Sequence, residues 1–439
     1  MVHTPQNRGA ERYVTVFAEL AGGPGFEPRL SESESEVLPL NYPPPAVAWR
    51  TTHPARRQPC DENITAPLYR TPSIVTHMWQ MDGTSYTVAT TERRNAGAAF
   101  AAIDLGTNNC RLLVGIPTPD GFRVLDSFSR TVRLGEGLDG SGALSDAAMD
   151  RAIGALRACT ARISRRPMRA IRGVATEACR QARNGPAFIA RVRRETGLPI
   201  DMISPREEAE LALESCAPLL RGGSRRALVF DIGGGSTELA WVRLQDGAPP
   251  GLIGYASLPL GVVTLSERYG TAAFTPDGFE AMVAHVAARL APFEAVHCIR
   301  HETRAGGVSV LGTSGTVTTL AGIALNLPRY RRPLIDGTVL SRAAADHALA
   351  TVLALGPDGL SAHPCVGVDR VPFVLPGCAV FEAIRRVWPV EDVIVADRGL
   401  REGILLRLMR QAAGRGTAAD APRRAFTQPV GTTAIAEPA

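Results

Sequence analysis

Ala227-Leu-Val-Phe-Asp-Ile-Gly-Gly-Gly-Ser-Thr-Glu-Leu-Ala-Trp-Val242 decides the fold: an apolar run stops at Asp231, crosses three glycines and resumes after Glu238. The pattern reads as strand, tight loop, strand. Gly233, Gly234 and Gly235 allow positive φ and leave backbone N–H groups unshielded by any Cβ, so the loop can close around an oxyanion. Ser236 and Thr237 add hydroxyl donors. Asp231 and Glu238, at the two mouths of the loop, supply the carboxylate oxygens that a phosphate-bound Mg2+ needs. Taken alone, the stretch also reads as an ordinary Gly-rich hairpin turn.

A partial copy stands upstream. Ala99-Phe-Ala-Ala-Ile-Asp-Leu-Gly-Thr-Asn-Asn-Cys-Arg-Leu-Leu-Val-Gly-Ile116 is again an apolar run, Asp-x-Gly, a short polar loop and a second apolar run. Asp104 corresponds to Asp231 and Gly106 to Gly233, while Thr107, Asn108 and Asn109 stand where Gly234, Gly235 and Ser236 stand. Two such hairpins a domain apart imply two similar α/β halves, each presenting a phosphate-holding loop to a cleft between them. A third Gly/Ser/Thr loop, Gly312-Thr-Ser-Gly-Thr316, follows an apolar strand and opens a helix, so Gly312, Ser314 and Gly315 lie where backbone N–H groups can meet an anion.

Two further segments carry candidate chemistry. Ala170 to Thr176 reads as a buried strand, and at its C-terminal end, where open α/β sheets bind ligands, Arg180 is a candidate phosphate contact. Ser204-Pro-Arg-Glu-Glu208 opens a helix in which Ser204 is the N-cap, Pro205 fits N1 and Glu207 at N3 completes a capping box. Glu208 points about a quarter-turn away and has no capping duty, which leaves it available as a general base; dipole complementarity is the alternative.

Composition excludes several schemes. All 48 basic residues among the 439 are Arg, so a P-loop Lys, a kinase strand Lys and a pyridoxal Schiff base are ruled out. Eight cysteines without a C-x-x-C pair read as reduced, mostly buried thiols of a cytoplasmic protein. No signal peptide or membrane span is visible, and His297, Cys298 and His301 lack a second ligand cluster. Residues 1–96 show no sustained periodicity and are expected to be disordered, with Met78 or Met81 as later start candidates. The expected organisation continues as a first half over 97–220, a second over 225–411 and a disordered tail over 412–439.

Together the three loops resemble the phosphate motifs of the sugar kinase, Hsp70 and actin superfamily. Within it, Ala175-Thr-Glu-Ala-Cys-Arg-Gln-Ala182, Ser204-Pro-Arg-Glu-Glu-Ala209 and Gly399-Leu-Arg-Glu-Gly403 resemble the exopolyphosphatase and guanosine pentaphosphate phosphohydrolase family, from about Phe100 to Met409. That resemblance implies two ribonuclease-H-like halves and Mg2+-dependent hydrolysis of a terminal phosphoanhydride. Glu208 would be the base, Asp231, Glu238 and Asp104 the metal side, and Thr107, Asn108, Arg180, the loop from Gly233 to Thr237 and the third loop the phosphate contacts. Inorganic polyphosphate is the first expected substrate and guanosine pentaphosphate the second, with a homodimer as an option and nucleic acid not expected. A non-catalytic polyanion binder and a small-molecule kinase of the same superfamily are the other classes. Thr107 and Asn109 stand where the family commonly has serine, and the resemblance ends at the core's last helix, without the helical domain that longer members add.

Overall fold

Two runs of strands, each opening with an apolar strand that ends near an Asp, build the two main sheets of the computed structural model, which describes residues 75–81, 84–90, 99–119, 121–220 and 223–415. The first sheet has the order β5-β4-β3-β6-β7, from β3 (Ala99–Leu105), β4 (Asn109–Thr118), β5 (Gly121–Thr131), β6 (Met168–Ala175) and β7 (Ile200–Met202). The second has the order β10-β9-β8-β11-β13-β12, from β8 (Arg226–Ile232), β9 (Thr237–Arg243), β10 (Gly251–Leu258), β11 (Val308–Thr313), β12 (Val339–Ser341) and β13 (Asp392–Ala396). In each sheet three antiparallel strands are followed by two parallel to the first of them, with β12 added antiparallel at the edge of the second, so the expected α/β fold of two ribonuclease-H-like halves is present. The register repeats as well: Asp104 lies opposite Arg111 in one hairpin, and Asp231 opposite Glu238 in the other.

Strand β3 is buried on both faces, as its unbroken apolar run requires. Ala99, Ala101, Ile103 and Leu105 pack with residues of α1 (Asp146–Ile163) and α2 (Gly185–Thr196). Phe100 and Ala102 face the other way, toward Leu400, Ile404, Leu405 and Met409 of the last helix. Beyond these lie α3 (Pro205–Cys216), α4 (Pro276–His297), α5 (Gly315–Ala324), α6 (Arg342–Ala362), α7 (Val371–Val387) and that last helix, α8 (Leu400–Arg415). Although α8 follows the second sheet in sequence, it packs on the first.

Helix α3 serves both halves. Its Leu211 joins the core under β3, whereas Leu213 and Cys216 join Ala227, Val229 and Ala240 of the second sheet. Ser204 caps it, accepting from the Glu207 amide at 3.2 Å. The reciprocal half of the capping box is not formed: the Glu207 carboxylate instead pairs with Arg172 on β6 and with Arg407 on α8, the latter at 3.5 Å. Two guanidiniums offer more to an acid than one backbone N–H.

An antiparallel hairpin, β1 (Val75–Met81) with β2 (Thr84–Thr90), falls inside the stretch expected to be disordered. The Asp82-Gly83 dipeptide between its strands is a hairpin signal that the composition of the segment outweighed in reading the sequence. The rest of 1–96, and 416–439 of the tail, lie outside the described residues.

Helix α8 approaches α3 so closely that a Cβ at Gly403 would lie 2.0 Å from the Leu211 carbonyl oxygen. Gly403→Ala should therefore destabilise the protein by about 1–3 kcal/mol, the cost of overpacking, read as a lower urea midpoint. An unchanged midpoint would remove the contact from the argument.

Candidate functional site

The two Asp loops close with the same hydrogen bond. Gly106 N–H donates to the Asn109 carbonyl at 2.9 Å, and Gly233 N–H to the Ser236 carbonyl at 2.9 Å. Positive φ is not what the second loop needs, because none of Gly233, Gly234 and Gly235 adopts it. The glycines provide clearance instead. A Cβ at Gly235 would stand 2.6 Å from Thr107 Oγ1, and one at Gly234 would stand 3.2 Å from Thr107 Cβ and 3.3 Å from Asn108 Cβ. The loops of the two halves thus meet face to face. Among the described residues, the Gly234 and Gly235 amides donate no hydrogen bond, and the Asn108 Oδ1 atom is buried without a partner.

Four carboxylates converge on this contact from four elements: Asp104, Glu208, Asp231 and Glu238. Burial pushes the Asp231 carboxyl up to about 6; Arg111 opposes this and Asp104 adds to it. Burial pushes Glu208 up to about 7 against the pull of Arg180, with Asp104 and Asp231 adding. Glu238 is held well above the usual carboxylate range by burial and then by Glu208 and Asp231, although the Ser236 and Ser257 hydroxyls both donate to its Oε1. Asp104 is raised by burial, with Arg111 and Arg401 opposing. Glu208, Asp231 and Glu238 each therefore sense at least one other's charge in a medium that screens poorly, and the like charge that adds to the rise at Asp104 is that of Glu402.

Not every predicted residue reaches the cleft. The Thr237 hydroxyl donates to the Leu260 carbonyl at 2.7 Å and the residue is fully buried, so it supports the loop from behind. Gly312 serves packing, since a Cβ there would lie 2.4 Å from Phe230 Cζ. Ser314, at φ 124°, caps α5 through the Thr316 amide. Arg180 is engaged within its own half: Nη1 donates to Glu208 Oε2 at 2.6 Å and to the Ile203 carbonyl at 3.1 Å. Glu207 and Glu208 point to different partners, as their spacing predicts.

Two cations beside the cleft were missed in reading the sequence. Arg111, the register partner of Asp104, has no hydrogen-bonded or ion-paired partner among the described residues. Arg370 is likewise unpartnered there, and a Cβ at Gly315, at the start of α5, would lie 2.4 Å from its Nη2. Burial and the Arg111 charge both lower the Arg370 pKa. Two guanidiniums that repel one another at the edge of a cleft are a site for an anion. The internal repeat could have found Arg111, at the place of Glu238; nothing local marks Arg370.

The donor set bears on whether a divalent cation fits. Among the described residues no three His, Cys, Asp or Glu side chains stand close enough to hold a metal by themselves. Buried carboxylates whose charges resist one another nevertheless fit an ion such as Mg2+, which commonly takes one or two carboxylates and completes its shell with water and substrate phosphate. A separate cavity of about 290 Å3, lined by Arg206, Leu252, Ile253, Gly254, Tyr255 and His297, shares no residue with the cluster. No helix among the described residues is long and apolar enough to cross a membrane.

Comparison with known proteins identifies the family and the fold. A family model described as the Ppx/GppA phosphatase family matches residues 117–412, which contain Glu208 and the second and third loops. The Ppx/GppA family member of Aquifex aeolicus is 25% identical, with a TM-score of 0.60, over 72% of this chain and 98% of its own. An exopolyphosphatase-like protein is 27% identical, with a TM-score of 0.64, over 72% of this chain and 99% of its own. An exopolyphosphatase from Cytophaga hutchinsonii shares the fold at 22% identity and a TM-score of 0.64, over 71% of this chain and 98% of its own.

The raised Glu208 carboxyl has a consequence for stability. Its folded pKa of about 7 exceeds the ordinary 4.5, so its contribution is intact at low pH and lost as pH rises through about 7. In chelator, the stability of Glu208→Gln relative to wild type should therefore increase between pH 5 and pH 8. A gap that does not change with pH, measured by urea unfolding, would contradict the burial argument.

Proposed function

The chain belongs to the Ppx/GppA phosphatase family, and on that footing we propose that it removes the terminal phosphate of inorganic polyphosphate by attack of a water molecule. The observation that carries this reading is the pair of unpartnered guanidiniums, Arg111 and Arg370, beside the buried carboxylates. Anionic oxygens would complete the coordination that the protein leaves open.

Glu208 accepts the proton of the attacking water. With its carboxyl near 7, it is partly ionised at neutral pH and basic enough to take that proton. The water oxygen bonds to the terminal phosphorus, the bridging P–O bond breaks, and the departing chain carries the bridging oxygen. The free Gly234 and Gly235 amides donate to equatorial phosphoryl oxygens, and Arg111 and Arg370 hold the phosphates behind them. Mg2+, held through Asp231 and Glu238 with Asp104 near the end of β3 on the facing half, would supply charge neutralisation at those oxygens. Seven free cysteines among the described residues, six of them buried, fit a cytoplasmic setting.

One observation favours guanosine pentaphosphate as a second substrate. Tyr330, 39% exposed, donates its hydroxyl to Asp397 at 2.7 Å, and the Asp397 carboxylate is within electrostatic reach of Arg370. A part-exposed aromatic ring anchored through Asp397 on the Arg370 side of the cleft would offer a face to a nucleobase.

Phosphate release measured on both substrates, with Mg2+ and with chelator, separates these readings. Glu208→Gln should lower kcat by about 10²–10⁴-fold, the usual worth of a general base, and leave KM largely unchanged. Arg370→Ala should act mainly on KM. No release from either substrate by the wild-type protein would overturn the proposal.

A further inference from the structure

Glu177 is a buried carboxylate that the mechanism above leaves without a task. It opens the short helix Glu177–Gln181 at the end of β6 and is 9% exposed. Its Oε2 accepts from Arg180 Nε at 3.0 Å and from Arg180 Nη2 at 2.6 Å, while its Oε1 accepts from Gln181 Nε2 at 2.6 Å. On the far side of the same guanidinium, Nη1 donates to the Ile203 carbonyl at 3.1 Å and to Glu208 Oε2 at 2.6 Å. Four of the five N–H groups of Arg180 are therefore committed, and the guanidinium plane is fixed at opposite edges.

We propose that Glu177 is a positioning residue for hydrolysis: it locks the Arg180 guanidinium so that Nη1 orients the Glu208 carboxylate toward the attacking water. The inference rests on the phosphohydrolase reading and extends it by one residue. Two properties of the arrangement support it. Nε and Nη2 form one side of the guanidinium fork, and a carboxylate seated on that side removes rotation about the last side-chain bond, which a contact through Nη1 alone would leave. Glu177 also shares the single positive charge of Arg180 with Glu208. A guanidinium paired with Glu208 alone would hold that carboxylate more tightly and make it a poorer base.

Every partner in this chain belongs to the first half: Glu177 and Arg180 follow β6, Ile203 follows β7, and Glu208 lies in the first turns of α3. The base is thereby referenced to the sheet, independently of how the second half binds substrate. A glutamine at 177 keeps one acceptor oxygen but loses the negative charge and the second acceptor, so the charge-assisted hold on Nε and Nη2 is weakened.

The test is a double-mutant cycle on phosphate release by the full chain, with the polymer length and Mg2+ fixed. Glu177→Gln should lower kcat about tenfold, within the coupling found inside one hydrogen-bond network, and change KM less than about twofold. In the Glu208→Gln background, adding Glu177→Gln should change the residual rate by less than about twofold, because its effect passes through a base that is no longer there. A merely structural Glu177 would instead lower the rate by the same factor in both backgrounds. That outcome, or a rise in KM at constant kcat, overturns the proposal. If Glu177→Gln does not fold, Glu177→Asp enters the same cycle: it keeps the charge but falls one methylene short, and should lose kcat with the same non-additivity. Wild-type protein inactive on all substrates would overturn the hydrolase reading itself, whereas an active wild type with an additive cycle overturns only the role of Glu177.

Discussion

The site depends on the absence of a side chain. Gly234 and Gly235 lie so near Thr107 and Asn108 that a methyl group on either would press on the facing loop, and at Gly235 it would collide with the Thr107 hydroxyl. This contact brings the Asp104 end of one sheet within electrostatic reach of the Asp231 end of the other, which is why each appears among the influences on Glu208. Push the loops apart and the four carboxylates become separate acids at the ends of two hairpins. Held together, they form a field that only a bound cation, or proton uptake, can relax.

The cations answer that field from one side. Arg111 opposes the rise at both Asp104 and Asp231, and Arg180 opposes it at Glu208, yet burial outweighs them in each case. Because every basic side chain is Arg, none of these cations loses its charge at any ordinary pH. The pH response of the cleft is therefore carried by its carboxylates, and the unpartnered Arg111 and Arg370 remain ready for an anion throughout.

Much of this was legible in the sequence where a residue's duty is local. The strand-loop-strand pattern around Asp231, its copy at Asp104 and the helix start at Ser204 all follow from periodicity and capping, and the separate directions of Glu207 and Glu208 follow from helical spacing. Reading failed where the deciding neighbour is distant in the chain. The three loop glycines were expected for positive φ, a local property, whereas at Gly234 and Gly235 the need comes from residues about 130 positions away, and at Gly233 from the Ser236 carbonyl of its own loop. The capping box is half formed because Arg172 and Arg407, from two other elements, take the Glu207 carboxylate. Arg370 has no motif around it, and its meaning arises only when α7 sets it against the start of α5.

Helix α8 has an implication for the order in which the molecule can be made. Phe100, Ala102, Leu113 and Val174 present an apolar face that is covered by Leu400, Ile404, Leu405 and Met409. On the ribosome, the strands bearing that face emerge first and their cover comes almost last, after the whole second sheet. The first half must therefore wait with uncovered hydrophobic surface, a period in which a nascent chain is prone to aggregate or to engage a chaperone. The core of the first half is complete only once α8 has been made, after every strand of the second sheet.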